Sequence, residues 1–143
     1  MMRVMHATGY LATADLEDGV LVLEGTTKVS RFAIDGQLGA RMEKILDNTR
    51  AQAKNGYPTP EAEKAAVKRL NKLEWAAMQR QIPCIPVELI DRLEFKDASM
   101  LVNGRLDIYV GESRFQFHFR RKTRDEVRSF YETLDTEVRQ AHA

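Results

Sequence analysis

Along this chain polar and apolar positions first alternate, then fall into a helical period, then alternate again. In "YLATADLEDGVLVLEGTTKVSRFAID", residues 10–35, β-branched and aromatic residues are punctuated by Asp18-Gly19 and Glu24-Gly25. That pattern predicts a meander of three short strands, and turns this tight imply antiparallel pairing. Val20, Leu21, Val22 and Leu23 are apolar on both faces, which puts their strand inside a sheet. Residues 27–34 alternate poorly and suit an edge or a bulge.

From residue 36 the period changes. "QLGARMEKILDNTRAQAK" sets Leu38, Met42, Ile45, Thr49 and Ala53 along one helical face and meets a stop at Asn55-Gly56. A second helix then begins with Thr59 as N-cap, Pro60 at the first helical position, and Glu61 and Glu63 in the first turn. Residues 36–82 are therefore predicted as a helical hairpin. On its second helix Ala62, Ala66, Leu70, Leu73 and Ala77 share a face that suits the first helix, while Val67, Trp75, Met78 and Ile82 point the other way. The hairpin alone cannot bury that second stripe. It either docks on the protein's own sheet or meets a partner.

After Pro83 and Pro86 alternation returns. Leu93 and Phe95, then Leu106, Ile108 and Val110, then Phe115, Phe117 and Phe119 mark three more antiparallel strands, with turns near Asn103-Gly104 and Gly111-Glu112. The chain closes with a helix striped by Val127, Phe130, Tyr131, Leu134 and Val138. Thr123 and Glu126 fit a capping box at its start, so Arg120, Arg121, Lys122 and Arg124 stand at a strand-to-helix corner. That basic cluster reads first as a solvated corner, with a contact for an anion as the second reading.

Composition changes this picture little. A chain of 143 residues buries a conventional core as one domain, residues 1–143, and 43% hydrophobic with 30% charged residues is ordinary for a globular protein. The formal net charge of +1 selects no polyanionic partner. Its distribution says more: residues 36–82 carry 9 Lys or Arg against 5 Asp or Glu, and the remainder 13 against 16. A mildly basic hairpin sits on a mildly acidic body. Lys64, Lys68, Arg69 and Lys72 are interleaved with no exposed aromatic platform, which disfavours nucleic acid. No segment reads as a signal peptide or approaches the ~20 apolar residues of a membrane span, so a cytoplasmic setting is expected.

Candidate chemistry is sparse. Cys84 lies in the apolar run "IPCIPVELI" and is expected to be a small buried side chain. His6, His118 and His142 have no metal-ligand spacing with it or with each other. The sequence has no Gly-rich phosphate loop, nucleophile elbow or zinc-protease motif, and Asp91, Glu94 and Asp97 are strung along one strand. The expectation is no enzyme, no cofactor and no metal.

The stretches "LEDGVLVLEG", "IPVELIDRLEFKDA", "NGRLDIYV" and "FQFHFRRKTRDEVRSFYETL" resemble a bacterial pleckstrin-homology-like domain of unknown function, the type often followed by a short C-terminal oligomerisation tail. The resemblance implies an α+β fold, a bent antiparallel sheet of about seven strands with a C-terminal capping helix. It implies binding or assembly, since members of the wider fold recognise peptides, anionic lipid head groups or one another. This chain departs from it in two ways, by inserting residues 36–82 between the third and fourth strands and by ending at the helix without a tail. The sheet is expected to survive removal of that insertion. The expected function is a non-enzymatic interaction or self-assembly module, with Val67, Trp75, Met78, Lys68 and Lys72 facing a protein partner or a second copy. The alternative is a module for an anionic ligand, a lipid head group, nucleotide or nucleic acid, held by Arg120, Arg121, Lys122 and Arg124.

Overall fold

The two alternating ends of the chain pair into one seven-stranded antiparallel sheet of order β4-β3-β2-β1-β7-β6-β5. Its strands are β1 (Met2–His6), β2 (Leu11–Glu17), β3 (Val20–Gly25), β4 (Cys84–Pro86), β5 (Arg92–Lys96), β6 (Gly104–Val110) and β7 (Ser113–Phe119). The helices are α1 (Gly36–Lys54) and α2 (Pro60–Met78), both between β3 and β4, and α3 (Arg124–Ala141) at the end. This computed structural model describes residues 1–6, 11–25, 34, 36–79 and 83–143. The fold is α+β.

Register fixes which side chains share a face. Met2 and Val4 on β1 lie opposite Ala14 and Ala12, which lie opposite Leu23 and Gly25, while Leu21 opposes Ile85 on β4. In the other half Leu93, Ile108 and Phe115 align across three strands, as do Phe95, Leu106 and Phe117. Apart from exposed Gly25 these inward residues are buried or half-buried, and Val127, Leu134 and Val138 of α3 join them in a single core. The two-residue turn at Asp18-Gly19 has φ of 51° and 73°, the mirror-image geometry that matches strand twist in tight hairpins.

The outer face of β3 and β4 is also dry. Val20 opposes Pro86 and Val22 opposes Cys84, and all of these outward side chains are buried. The hairpin is what covers them. Leu73 and Ala76 of α2, with Met42 and Leu46 of α1, belong to the same continuous core. Burial pushes the Cys84 thiol up to about 11, despite the charge of Lys72 nearby, so it is an inert packing residue at neutral pH. A partly buried ion pair pins the arrangement, with Arg69 reaching Glu88 at 2.5 Å and the Asp18 carbonyl at 2.8 Å.

Several sequence expectations need correction. Strands β1 and β4 are individual elements that alternation did not resolve. A strand over 27–34 falls almost wholly outside the described residues. On α1 the buried positions are Met42 and Leu46, with Leu38 and Ile45 half-buried, whereas Ala53 is exposed. The start of α2 is as expected, with Thr59 accepting a hydrogen bond from the Ala62 N–H at 3.1 Å.

The capping box at Thr123 is absent. Arg121–Thr123 form a 3-10 turn that runs directly into α3, and Thr123 has no side-chain cap bond; its hydroxyl donates to the Arg120 carbonyl at 3.3 Å instead. The Arg124 N–H, the first of the helix, bonds the Arg121 carbonyl, and the Thr123 hydroxyl is turned back to Arg120 and away from the helix N–H groups. Thr123→Ala is therefore expected to lower stability by less than the ~1 kcal/mol of a lost cap. A urea midpoint moved by that full amount would restore the capping role.

Candidate functional site

Helix α2 has two unlike sides, because the helical period that sinks Leu73 and Ala76 into the core turns Val67 and Met78 outward. Val67 is 50% exposed and Met78 74%. Trp75 is 38% exposed and leans toward the outer face of β2 and β3, where it borders a shallow cavity of about 240 Å³ with Thr13, Asp15, Glu17 and Glu24. Ile82 lies outside the described residues. So the hairpin does dock on its own sheet, but through the Leu73 and Ala76 side, and of the predicted second stripe Val67 and Met78 stay largely in solvent.

The basic residues of this face divide. Lys68 is exposed. Lys72 is not free: its ammonium sits 4.2 Å from the centre of the Trp75 ring and 3.8 Å from Glu17. It anchors α2 to β2 and holds the indole in place, a structural use of a cation–π contact. A second shallow cavity, about 520 Å³, lies beside Lys68, Asn71 and Trp75 along the Asp18 turn. This face thus has an apolar part, Val67 and Met78, and an acidic border, Asp15, Glu17 and Glu24.

The corner cluster is at the far end of the sheet's other half. Arg120, Arg121 and Lys122 are exposed and make no ion pair among the described residues, while Arg124 is half-buried with Asp125 at 3.8 Å. The register explains what lies next to them. Gly104 opposes Phe119 and Arg105 opposes Lys96, so the β5–β6 loop, residues 97–103, leaves the sheet at the end where Arg120 begins its turn. Arg128 of α3 bonds Asp97 of that loop. Desolvation works to raise the Asp97 carboxyl, but the Arg128 bond, the Ala98 N–H and the charges of Arg128 and Arg124 outweigh it and hold the group below its ordinary range.

This loop is the feature that sequence reasoning missed. Met100, Leu101 and Val102 are 81%, 95% and 52% exposed. Ser99 folds them into a turn, its N–H donating to the Val102 carbonyl at 2.9 Å and its hydroxyl accepting from the Val102 N–H at 3.1 Å. The signal was available in the text "DASMLVNG", where three consecutive apolar residues stand between a strand end and a turn dipeptide.

Several other titratable groups lie against charged or polar neighbours, although the fully buried Asp107 carboxylate accepts no hydrogen bond among the described residues. On the outer face of β5 and β6, Arg92 reaches Glu94 at 2.6 Å, Tyr109 donates to Glu94 at 3.1 Å, and Arg105 Nε lies 3.0 Å from the buried Asp107 carboxylate. Asp91 accepts from the Gly111 N–H at 2.6 Å and pairs with Arg41 at 3.2 Å. Burial raises the Glu137 carboxyl, and the charge of Arg69 opposes that shift. No group of three or more His, Cys, Asp or Glu among the described residues is placed to hold a metal ion. No described helix is long and apolar enough to cross a membrane. Comparison with protein-family models, with curated proteins and with solved structures finds no match for this chain.

Proposed function

We propose that this chain is a non-enzymatic protein-interaction or self-assembly module of pleckstrin-homology-like architecture, with the inserted hairpin as its interface. The architectural part is supported by the strand order, in which the first strand joins β2 to the last strand β7, and by the C-terminal helix packed into the inward face. The functional part rests on one observation, the exposure of Val67 and Met78 on a helix whose opposite side is already sunk into the core. A helix that has satisfied its packing on one side keeps an apolar second side only at a cost in solubility, and such patches mark contact surfaces.

The favoured occupant is a second copy. Lys64 and Lys68 lie near Val67, and Asp15, Glu17 and Glu24 border Trp75, so the surface offers both signs to a second copy related by a two-fold axis. Sedimentation velocity should show mass rising with concentration, and Val67→Asp with Met78→Asp should return it to the monomer. Trp75 emission should shift to the blue in the same concentration range. Because both substituted positions are exposed, folding should be unaffected, which circular dichroism checks. A chain that stays monomeric at every concentration, with constant Trp75 emission, would refute self-association through this face.

A further inference from the structure

Resting on the self-association reading of the hairpin, we infer that the β5–β6 loop of one copy seats on the Trp75 face of a second copy, each copy giving a loop and receiving one across the two-fold axis. Leu101 is almost fully exposed between Met100 and Val102, both exposed, in a loop whose turn is closed by its own hydrogen bonds. Folding gains nothing from apolar side chains held out in water. The turn holds them as a tip that fits a recess.

The recess lies on another part of the same chain. Val67, Trp75 and Met78 are exposed on α2, and two shallow cavities border Trp75. None of residues 97–103 lines either cavity. Strands β1 and β7 stand between β2, beneath Trp75, and β6, and at about 4.8 Å per strand they hold those two roughly 14 Å apart. An apolar tip and an apolar recess kept apart in one chain meet between copies.

Charge selects the second copy as the occupant. Lys96, Arg120, Arg121 and Lys122 are exposed at the loop's end of the sheet, and none makes an ion pair among the described residues. Of the carboxylates there, Asp97 bonds Arg128 and Asp125 pairs with Arg124, while Glu126 makes no ion pair among the described residues. The tip therefore stands on a positive collar. The border of the recess has the opposite sign. Glu24 makes no ion pair among the described residues, and exposed Asp15 and Glu17 have only the Met1 ammonium at 3.9 Å and Lys72 at 3.8 Å. Two loops meeting tip to tip would oppose like charges. A loop on a Trp75 face brings cations to carboxylates and apolar side chains to an indole.

The test is complementation between two full-length variants, followed by sedimentation velocity. Leu101→Asp spoils the loop and keeps the face; Val67→Asp with Met78→Asp and Trp75→Phe spoils the face and keeps the loop. All four positions are exposed, so both variants should fold, which circular dichroism checks. Each alone should associate at least roughly tenfold more weakly than the parent chain. Mixed at concentrations where either alone is monomeric, they should form a one-to-one dimer through the single intact seat. That dimer should weaken as salt rises, since exposed charges are screened over about 8 Å at physiological ionic strength. Trp75 is the only tryptophan of the chain, so emission from the mixture reports the loop variant alone. It should turn blue on mixing, and should stay unchanged when the added face variant also carries Leu101→Asp.

Three results would overturn the inference. Association lost in the face variant but kept in Leu101→Asp would leave the hairpin reading standing and remove the loop from it. Variants that are each monomeric and fail to complement would mean that like meets like, face on face or loop on loop. A parent chain that stays monomeric at every concentration would remove both the hairpin reading and the loop contact.

Discussion

Replacing residues 37–81 with a short Gly-Ser linker is expected to leave a chain that no longer folds cooperatively. The pattern of the sequence suggests the opposite, because a helical hairpin can leave and rejoin a sheet at neighbouring strand ends without opening it. Connectivity permits excision; packing does not. Val20, Val22, Cys84 and Pro86 face outward from β3 and β4, and all are buried. Fully re-exposing an apolar side chain costs roughly 1.5 to 3 kcal/mol, so three or four of them approach the 5 to 15 kcal/mol that typically separates a folded domain from its unfolded chain. Excision also removes Met42, Leu46, Leu73 and Ala76 from the continuous core, and the Arg69 contacts to Glu88 and Asp18. β4 is already an edge strand, and losing the helix packed against it would leave that edge more open as a template for aggregation. Thermal denaturation followed by circular dichroism gives the answer. A product with a sharp transition near that of the intact chain would make the hairpin an appendage.

That reversal shows where sequence reading stopped. Periodicity assigned the helices and most strands because each rests on a local alternation of side chains along one element. It did not resolve β4, whose "CIP" is too short to show a period and contains a proline that a strand accepts only at an edge or an end. Nor did it resolve β1, where "MRVMH" does alternate and lies in a block with strand signals, but where no turn dipeptide marks the strand off. The buried state of Val20 and Val22 was legible as an apolar run. What covers them was not, because coverage is a contact between distant segments.

The candidate surfaces divide in the same way. Exposure of Val67 and Met78 could be anticipated from helical angles, but the engagement of Lys72 by Trp75 and Glu17 depends on where α2 crosses β2. Thr123 carried the right residue type and spacing for a cap, yet the preceding 3-10 turn directs its hydroxyl to the Arg120 carbonyl. The loop at Met100–Val102 is local and was legible, but loops are read by habit for turn residues and not for what they display. Its link to Arg120–Lys122 comes only from the β6–β7 register, which brings Gly104 opposite Phe119.

That same pair sets up the second large effect. Gly104→Ala is expected to destabilise the fold by roughly 1 to 3 kcal/mol, the range for forcing extra carbon into a packed core. On backbone grounds alone the change should help, since Gly104 is not among the positive-φ glycines and alanine restricts the unfolded chain more than glycine does. The ring of Phe119 decides the sign. A Cβ at position 104 would stand 2.2 Å from Phe119 Cζ, well inside van der Waals contact. The ring has little room to retreat, because it is stacked on Phe95 at 5.6 Å between centroids, and Phe95 on Tyr131 of α3 at 4.8 Å. Displacing Phe119 therefore disturbs a stack that ties the sheet to its C-terminal helix. A double-mutant cycle with Phe119→Leu isolates the clash: each single change should lower the urea midpoint, and the pair should lower it by less than their sum. A neutral or stabilising Gly104→Ala would show that the stack yields freely, and strict additivity would show that the added carbon strains something other than the Phe119 ring.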